Sequence, residues 1–159
     1  MASRRKAREA VLKVLYLSES RNISIDNAFQ ELAEIDREIA EGGDDSEIME
    51  LKPFSLGLDE KQKKFAQSLA HNIVVSKEKF NDYIKPVLIN WDLSRISRID
   101  RIILWIALAE MTYMLDIPPN VSINEALELA KRYSSEKSPS FINGVLDAAA
   151  RNIGVINKK

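Results

Sequence analysis

The first chemistry this chain offers is cationic. Ser3-Arg4-Arg5-Lys6-Ala7-Arg8 sets four positive side chains close together near the N-terminus. Ala7, Ala10, Val11, Val14 and Leu15 recur at helical spacing, so these cations fall in the first turns of a helix expected to run to about Ser20 with Ser3 at its cap. A helix N-terminus already carries roughly half a positive charge from its aligned peptide dipoles, and each cation placed there costs about 0.3–1 kcal/mol. A polyanion offsets that cost, because Lys and Arg replace its condensed counterions. Single-stranded RNA adds bases that stack on aromatic rings or guanidinium planes. A basic start that is simply solvated is the competing account. Tyr16, two turns beyond Arg8, is expected near the same side of the helix, where its ring suits either base stacking or anchoring the helix to the core. Phe141 marks a second candidate patch, following Lys131, Arg132 and Lys137 and preceding Asn143-Gly144. Glycine inside a helix costs about 1 kcal/mol relative to alanine, and close helix packing is the expected reason for it.

Other chemistry is largely excluded. The chain of 159 residues has no cysteine and a single histidine, His71, which removes disulfides, thiolate metal sites, cysteine nucleophiles and histidine clusters. No glycine-rich phosphate loop, H-E-x-x-H or G-x-S-x-G is present, so neither catalysis nor a cofactor is expected. His71 reads as a packed or surface residue rather than a proton-transfer group. The formal charge of −1 hides an asymmetry: Glu38 to Glu60 holds eight acids and one base, which leaves the remainder at +6. No run approaches the ~20 apolar residues of a membrane helix, and a cytoplasmic setting fits.

The elements that must carry these residues read as helices. Five glycines, five prolines and scarcely any alternating β-branched stretches argue for a single all-α domain of six to seven helices. A second helix is expected from about Ser24 to Glu41, its apolar face interrupted by Asp36. Gly42-Gly43, Pro53, Gly57 and acids including Asp44 and Asp45 describe a solvated connection over about 42–58. Asp59 with Gln62 forms a capping box for a long helix that Pro86 kinks or ends. From Ser94 or Ser97 to Leu115 the chain is apolar almost all round, as a central enclosed helix should be. Ser122 with Glu125 reads as a further capping box, for a helix reaching about Tyr133. Ser138-Pro139 reads as the cap of a last helix ending near Gly154. Trp91 and Trp105 are expected in the core.

Several segments together resemble the NusB family of transcription antitermination proteins. They are Arg4-Arg5-Lys6-Ala7-Arg8-Glu9 with Leu15-Tyr16, Ile99-Asp100-Arg101-Ile102-Ile103-Leu104, Val121-Ser122-Ile123-Asn124-Glu125-Ala126-Leu127, and Phe141-Ile142-Asn143-Gly144-Val145-Leu146-Asp147. The match spans nearly the whole chain, departing in the long acidic insert from about Glu41 to Leu58 and in Trp105, where relatives often have arginine. The resemblance implies an all-α domain of two packed helical subdomains, about 1–90 and 91–159, that binds a boxA element of nascent RNA together with ribosomal protein NusE. The complex would join the elongating polymerase with other Nus factors, catalysing no reaction. Carried over by position, Arg4, Arg5, Lys6, Arg8, Tyr16 and Phe141 would contact RNA, and Asp100 and Arg101 would lie toward NusE. The rival accounts are a helical module like those preceding certain ribosomal RNA cytosine methyltransferase domains, and a non-catalytic adaptor or homodimer that binds no RNA.

Overall fold

Short polar side chains that satisfy the first free amides set the starts of three helices among the described residues. The computed structural model describes residues 2–42, 56–89 and 92–155, and side chains from Arg4 onward. The acids Asp44, Asp45, Glu47 and Glu50, together with Pro53, Trp91 and the side chain of Ser3, therefore lie outside the described residues. Six α-helices and two single 3₁₀ turns, with no strand, make up the regular structure among the described residues. Contacts divide the chain into two compact units, Met1–Ala70 and His71–Lys159.

In the first unit, α1 spans Ala2–Arg21. Ser3 therefore sits within the helix and not at the expected cap. Asn22 takes the left-handed conformation (φ 53°), which asparagine tolerates better than most residues, and turns the chain into α2, Ile25–Glu41. Ser24 caps α2 as expected, accepting the Asn27 N–H at 3.1 Å. The two helices pack through Ala10, Val14, Ala28 and Leu32, with Leu56 closing over them from the returning chain. Asp36, which interrupts the apolar face of α2, holds that return: its Oδ1 accepts the N–H of Leu56 at 2.9 Å and of Gly57 at 3.4 Å. The third helix, α3, spans Glu60–Ile84 and crosses the division between the units. Its capping box forms as the sequence predicts. Asp59 N–H donates to Gln62 Oε1 at 2.9 Å, and Gln62 N–H donates to Asp59 Oδ1 at 2.8 Å. The helix gives way to the 3₁₀ turn Lys85–Val87 at Pro86, whose ring blocks α-helical continuation.

In the second unit, Ser97 caps α4, Arg98–Tyr113, by accepting the Asp100 N–H at 3.1 Å. Ile102 through Met111 are all buried, and α5 (Pro119–Tyr133) and α6 (Ser138–Asn152) pack against α4 and against each other. Trp105 is 3% exposed, and its Nε1–H donates to Asn81 Oδ1 at 2.8 Å, so the expected core position holds. Two expected caps are corrected. The fifth helix starts at Pro119, where a missing N–H costs nothing, so Ser122 lies inside it and donates instead to buried Glu110 at 3.0 Å. Ser138 likewise lies inside α6 behind an N-cap Lys137, and its hydroxyl is used elsewhere. Gly154 (φ 83°) follows the end of α6, close to the expected stop.

Candidate nucleic-acid interface

The four cations of α1 do not form one uniform patch. A helix turns about 100° per residue, so Arg4 and Arg8 share a face while Arg5 and Lys6 project elsewhere. Arg5 and Lys6 are exposed and Arg4 is half-buried, whereas Arg8 is only 1% exposed. Half-buried Phe65 of α3 provides the reason. Its ring receives the Arg4 guanidinium at 4.8 Å and that of Arg8 at 5.8 Å, an attraction between cation and ring quadrupole that fixes both side chains. Lys6 reaches outward, donating from Nζ to Gly57 O at 3.4 Å. The outer surface of the helix start is thus formed by Arg5, Lys6 and the accessible part of Arg4.

Tyr16 is 43% exposed on the same helix. Eight residues leave it about 80° around the helix from Arg8, enough to put Arg8 in the core and Tyr16 at the surface. The expectation that the two share a side is corrected by that offset. The tyrosine ring is presented to solvent beyond the cationic turns.

Of the remaining candidates, Asp100 and Phe141 meet in the second unit around a cavity of about 520 Å³, and Arg101 is not part of its lining. Asp100, 8% exposed, belongs to its lining. Ser134 Oγ donates to Asp100 Oδ1 at 2.5 Å, and Ser138 Oγ donates to Oδ2 at 2.9 Å. Ser135 Oγ lies 2.8 Å from Ser138 Oγ. Aromatic wall is supplied by Phe141 and Tyr133, and exposed Arg95 and Lys137 complete the lining. Both oxygens of Asp100 are thus engaged within the chain. Arg101, half-buried, lays its guanidinium 5.4 Å from the Trp105 ring.

Gly144 contradicts the packing expected of it. It is exposed, and a Cβ built there meets nothing within 4 Å, so close approach of another part of the chain does not account for it. The sequence did not single out Phe65, Arg95 or the Ser134-Ser135 pair as site residues. Phe65 has the spacing of an ordinary core residue, and the serine pair looks like a helix end followed by a turn. His71 is exposed. Among the described residues no group of three His, Cys, Asp or Glu side chains could hold a metal ion, and no helix is long and apolar enough to cross a membrane.

Comparison with known proteins gives a consistent result. The NusB family model matches residues 5–151. A protein of Chloroherpeton thalassium named transcription antitermination protein NusB is 36% identical over 159 residues, 98% of this chain; the chain spans 66% of that relative's length. A protein of the same name from Methylacidiphilum infernorum is 34% identical over 155 residues, covering 97% of this chain and 94% of its own. Among solved structures, T. maritima NusB superposes with a TM-score of 0.73 at 32% identity, over 93% of this chain and 90% of that one. A crystal structure of antitermination factors NusB and NusE in complex with dsRNA gives 0.75 at 22% identity over 96% and 98%, a likeness of fold. With a family match across most of its length and relatives above one-third identity, this chain belongs to the NusB family.

Proposed function

We propose that this chain is a non-catalytic antitermination factor that binds boxA-containing single-stranded RNA jointly with ribosomal protein NusE in the cytoplasm. The assembled complex acts on the elongating polymerase with other Nus factors. One observation carries the reading: exposed Arg5 and Lys6, with Arg4 braced on Phe65, concentrate positive charge at the positive end of α1, a placement that an anionic partner favours. Support for a protein partner and an RNA partner comes from the similarly folded NusB that was crystallised with NusE and dsRNA.

In this reading Arg5, Lys6 and Arg4 meet phosphates, while Tyr16 and Phe141 offer rings to bases. Arg8 is a positioning residue, because its burial keeps the guanidinium from solvent. Of the pair assigned to NusE, Asp100 acts from below the surface and Arg101 is the more accessible.

Titration of a labelled boxA oligoribonucleotide at several salt concentrations, with and without NusE, tests the proposal. Each phosphate contact on a single strand contributes about 0.7 to the slope of log affinity against log salt. Arg5→Ala with Lys6→Ala is therefore expected to lower the slope by about 1.4 with helicity unchanged. An unaltered slope in a folded double variant overturns the assignment, and absence of any RNA binding overturns the function.

A further inference from the structure

The cavity beside Phe141 has a polar floor whose hydrogen-bonding sense is set from beneath. A hydroxyl carries one proton and two lone pairs, whereas a carboxylate only accepts. Asp100 draws the protons of Ser134 and Ser138 inward, and Ser138, having given its proton to Asp100, accepts that of Ser135. Ser134 and Ser138 also lie 2.8 Å apart, so any proton exchanged between them stays inside the cluster. What the three serines turn toward the cavity is therefore lone pairs.

Donors are found elsewhere. Arg95 and Lys137 are exposed lining residues and carry cationic N–H groups, which suit a phosphate. The lining also includes Phe141, Tyr133, Ile96 and Ile99, apolar surface suited to the faces of a flat ring. A volume of about 520 Å³ lies within the range of small-molecule sites, roughly 300–1,000 Å³. Phosphate donors, ring-stacking walls and an accepting floor together describe a nucleotide unit whose base points an N–H group inward.

We infer that this cavity is a specificity subsite for one nucleotide of the bound RNA, taking a base with an exocyclic amino group in preference to uracil. Asp100 is its positioning residue and Ser134, Ser135 and Ser138 are its reading surface. The inference rests on the RNA-binding function proposed above and adds which base one position selects. Cytosine and uracil make the sharpest comparison, since they match in size and cytosine carries an amino group where uracil carries a carbonyl.

The test uses the full chain with NusE and 12-nucleotide uridine oligoribonucleotides in which a single cytidine is moved along the strand. At one register cytidine is expected to bind about tenfold more tightly than uridine, the discrimination of one well-placed hydrogen-bonding edge. Asp100→Asn brings an amide donor to the centre of the cluster, so a serine proton turns outward and the preference is expected to fall to about twofold or less. Ser135→Ala, at an exposed position, guards against misfolding of that variant and is expected to reduce the preference for cytidine to about threefold or less. Uniform affinity at every register, or a preference that survives both substitutions, overturns the inference and leaves the RNA-binding function standing. Failure of the wild-type chain to bind any of these oligonucleotides while it still binds a boxA oligoribonucleotide overturns the inference alone, and failure to bind the boxA oligoribonucleotide as well overturns both.

Discussion

Ser138 Oγ lies 2.9 Å from Asp100 Oδ2, with both residues buried, so the first residue of α6 is tied to the first turn of α4 by a hydroxyl-to-carboxylate hydrogen bond. The bond joins residues 38 positions apart and fixes the end of the segment that carries Phe141. Removing one partner of a buried charged hydrogen bond leaves the other under-satisfied, at about 1–3 kcal/mol. Ser138→Ala is expected to lower unfolding stability by that amount in urea denaturation. Ser140→Ala, at an exposed position two residues on, is expected to stay within about 0.5 kcal/mol. Equal midpoints for the two variants would remove the structural role of this bond.

Phe65 supports the cations rather than the RNA. Phe65→Leu retains apolar bulk and deletes the ring face under Arg4 and Arg8, where each cation contact is worth about 0.5–1 kcal/mol. The variant is expected to lose stability and several-fold RNA affinity together. Wild-type affinity in the folded leucine variant would show that the ring does not position Arg4.

Phe141→Ala is expected to weaken RNA binding by about 1–3 kcal/mol, the worth of one stacked base, and Phe141→Tyr to restore most of it. Anisotropy titrations of folded variants decide the matter. A stable alanine variant with unchanged affinity would exclude stacking.

Gly144→Ala is expected to raise stability by about 1 kcal/mol, because alanine is the better helix former and its methyl group meets nothing within 4 Å. Thermal unfolding provides the measurement. A destabilised alanine variant would mean that the glycine meets a structural need that the open space around it does not reveal.

Asp36→Ala is expected to free the amides of Leu56 and Gly57, both held by this one carboxylate. Native-state hydrogen exchange should then quicken at those two amides, with the α1 core amides little affected. Unchanged protection at Leu56 would show that apolar packing alone secures the returning chain.

Periodicity and capping chemistry made most of the helices readable from sequence. The Asp59–Gln62 box and the Ser24 cap are local, spanning three residues, and they occur where their spacing predicts. The failures are also physical. Ser122 and Ser138 have the pattern of caps, yet each serves a distant buried carboxylate, Glu110 and Asp100 respectively, and that partnership depends on tertiary contacts. Asp36 broke an amphipathic pattern for a similar reason, since its partners are amides 20 and 21 residues away. At the candidate site, the cationic start and Phe141 were visible as residue types. The burial of Arg8, its neighbour Phe65 and the serine cluster became visible only when separate helices met.

The burial of Arg8 changes how substitutions in the basic opening sort themselves. Its guanidinium is 1% exposed and out of reach of a phosphate, so it displaces none of the counterions condensed on the RNA and scarcely registers in an ionic-strength titration. Two arginines three positions apart, Arg5 and Arg8, are thus governed by different constraints: the first can be traded for lysine at little cost to folding, whereas the second is tied to the packing of α1 itself.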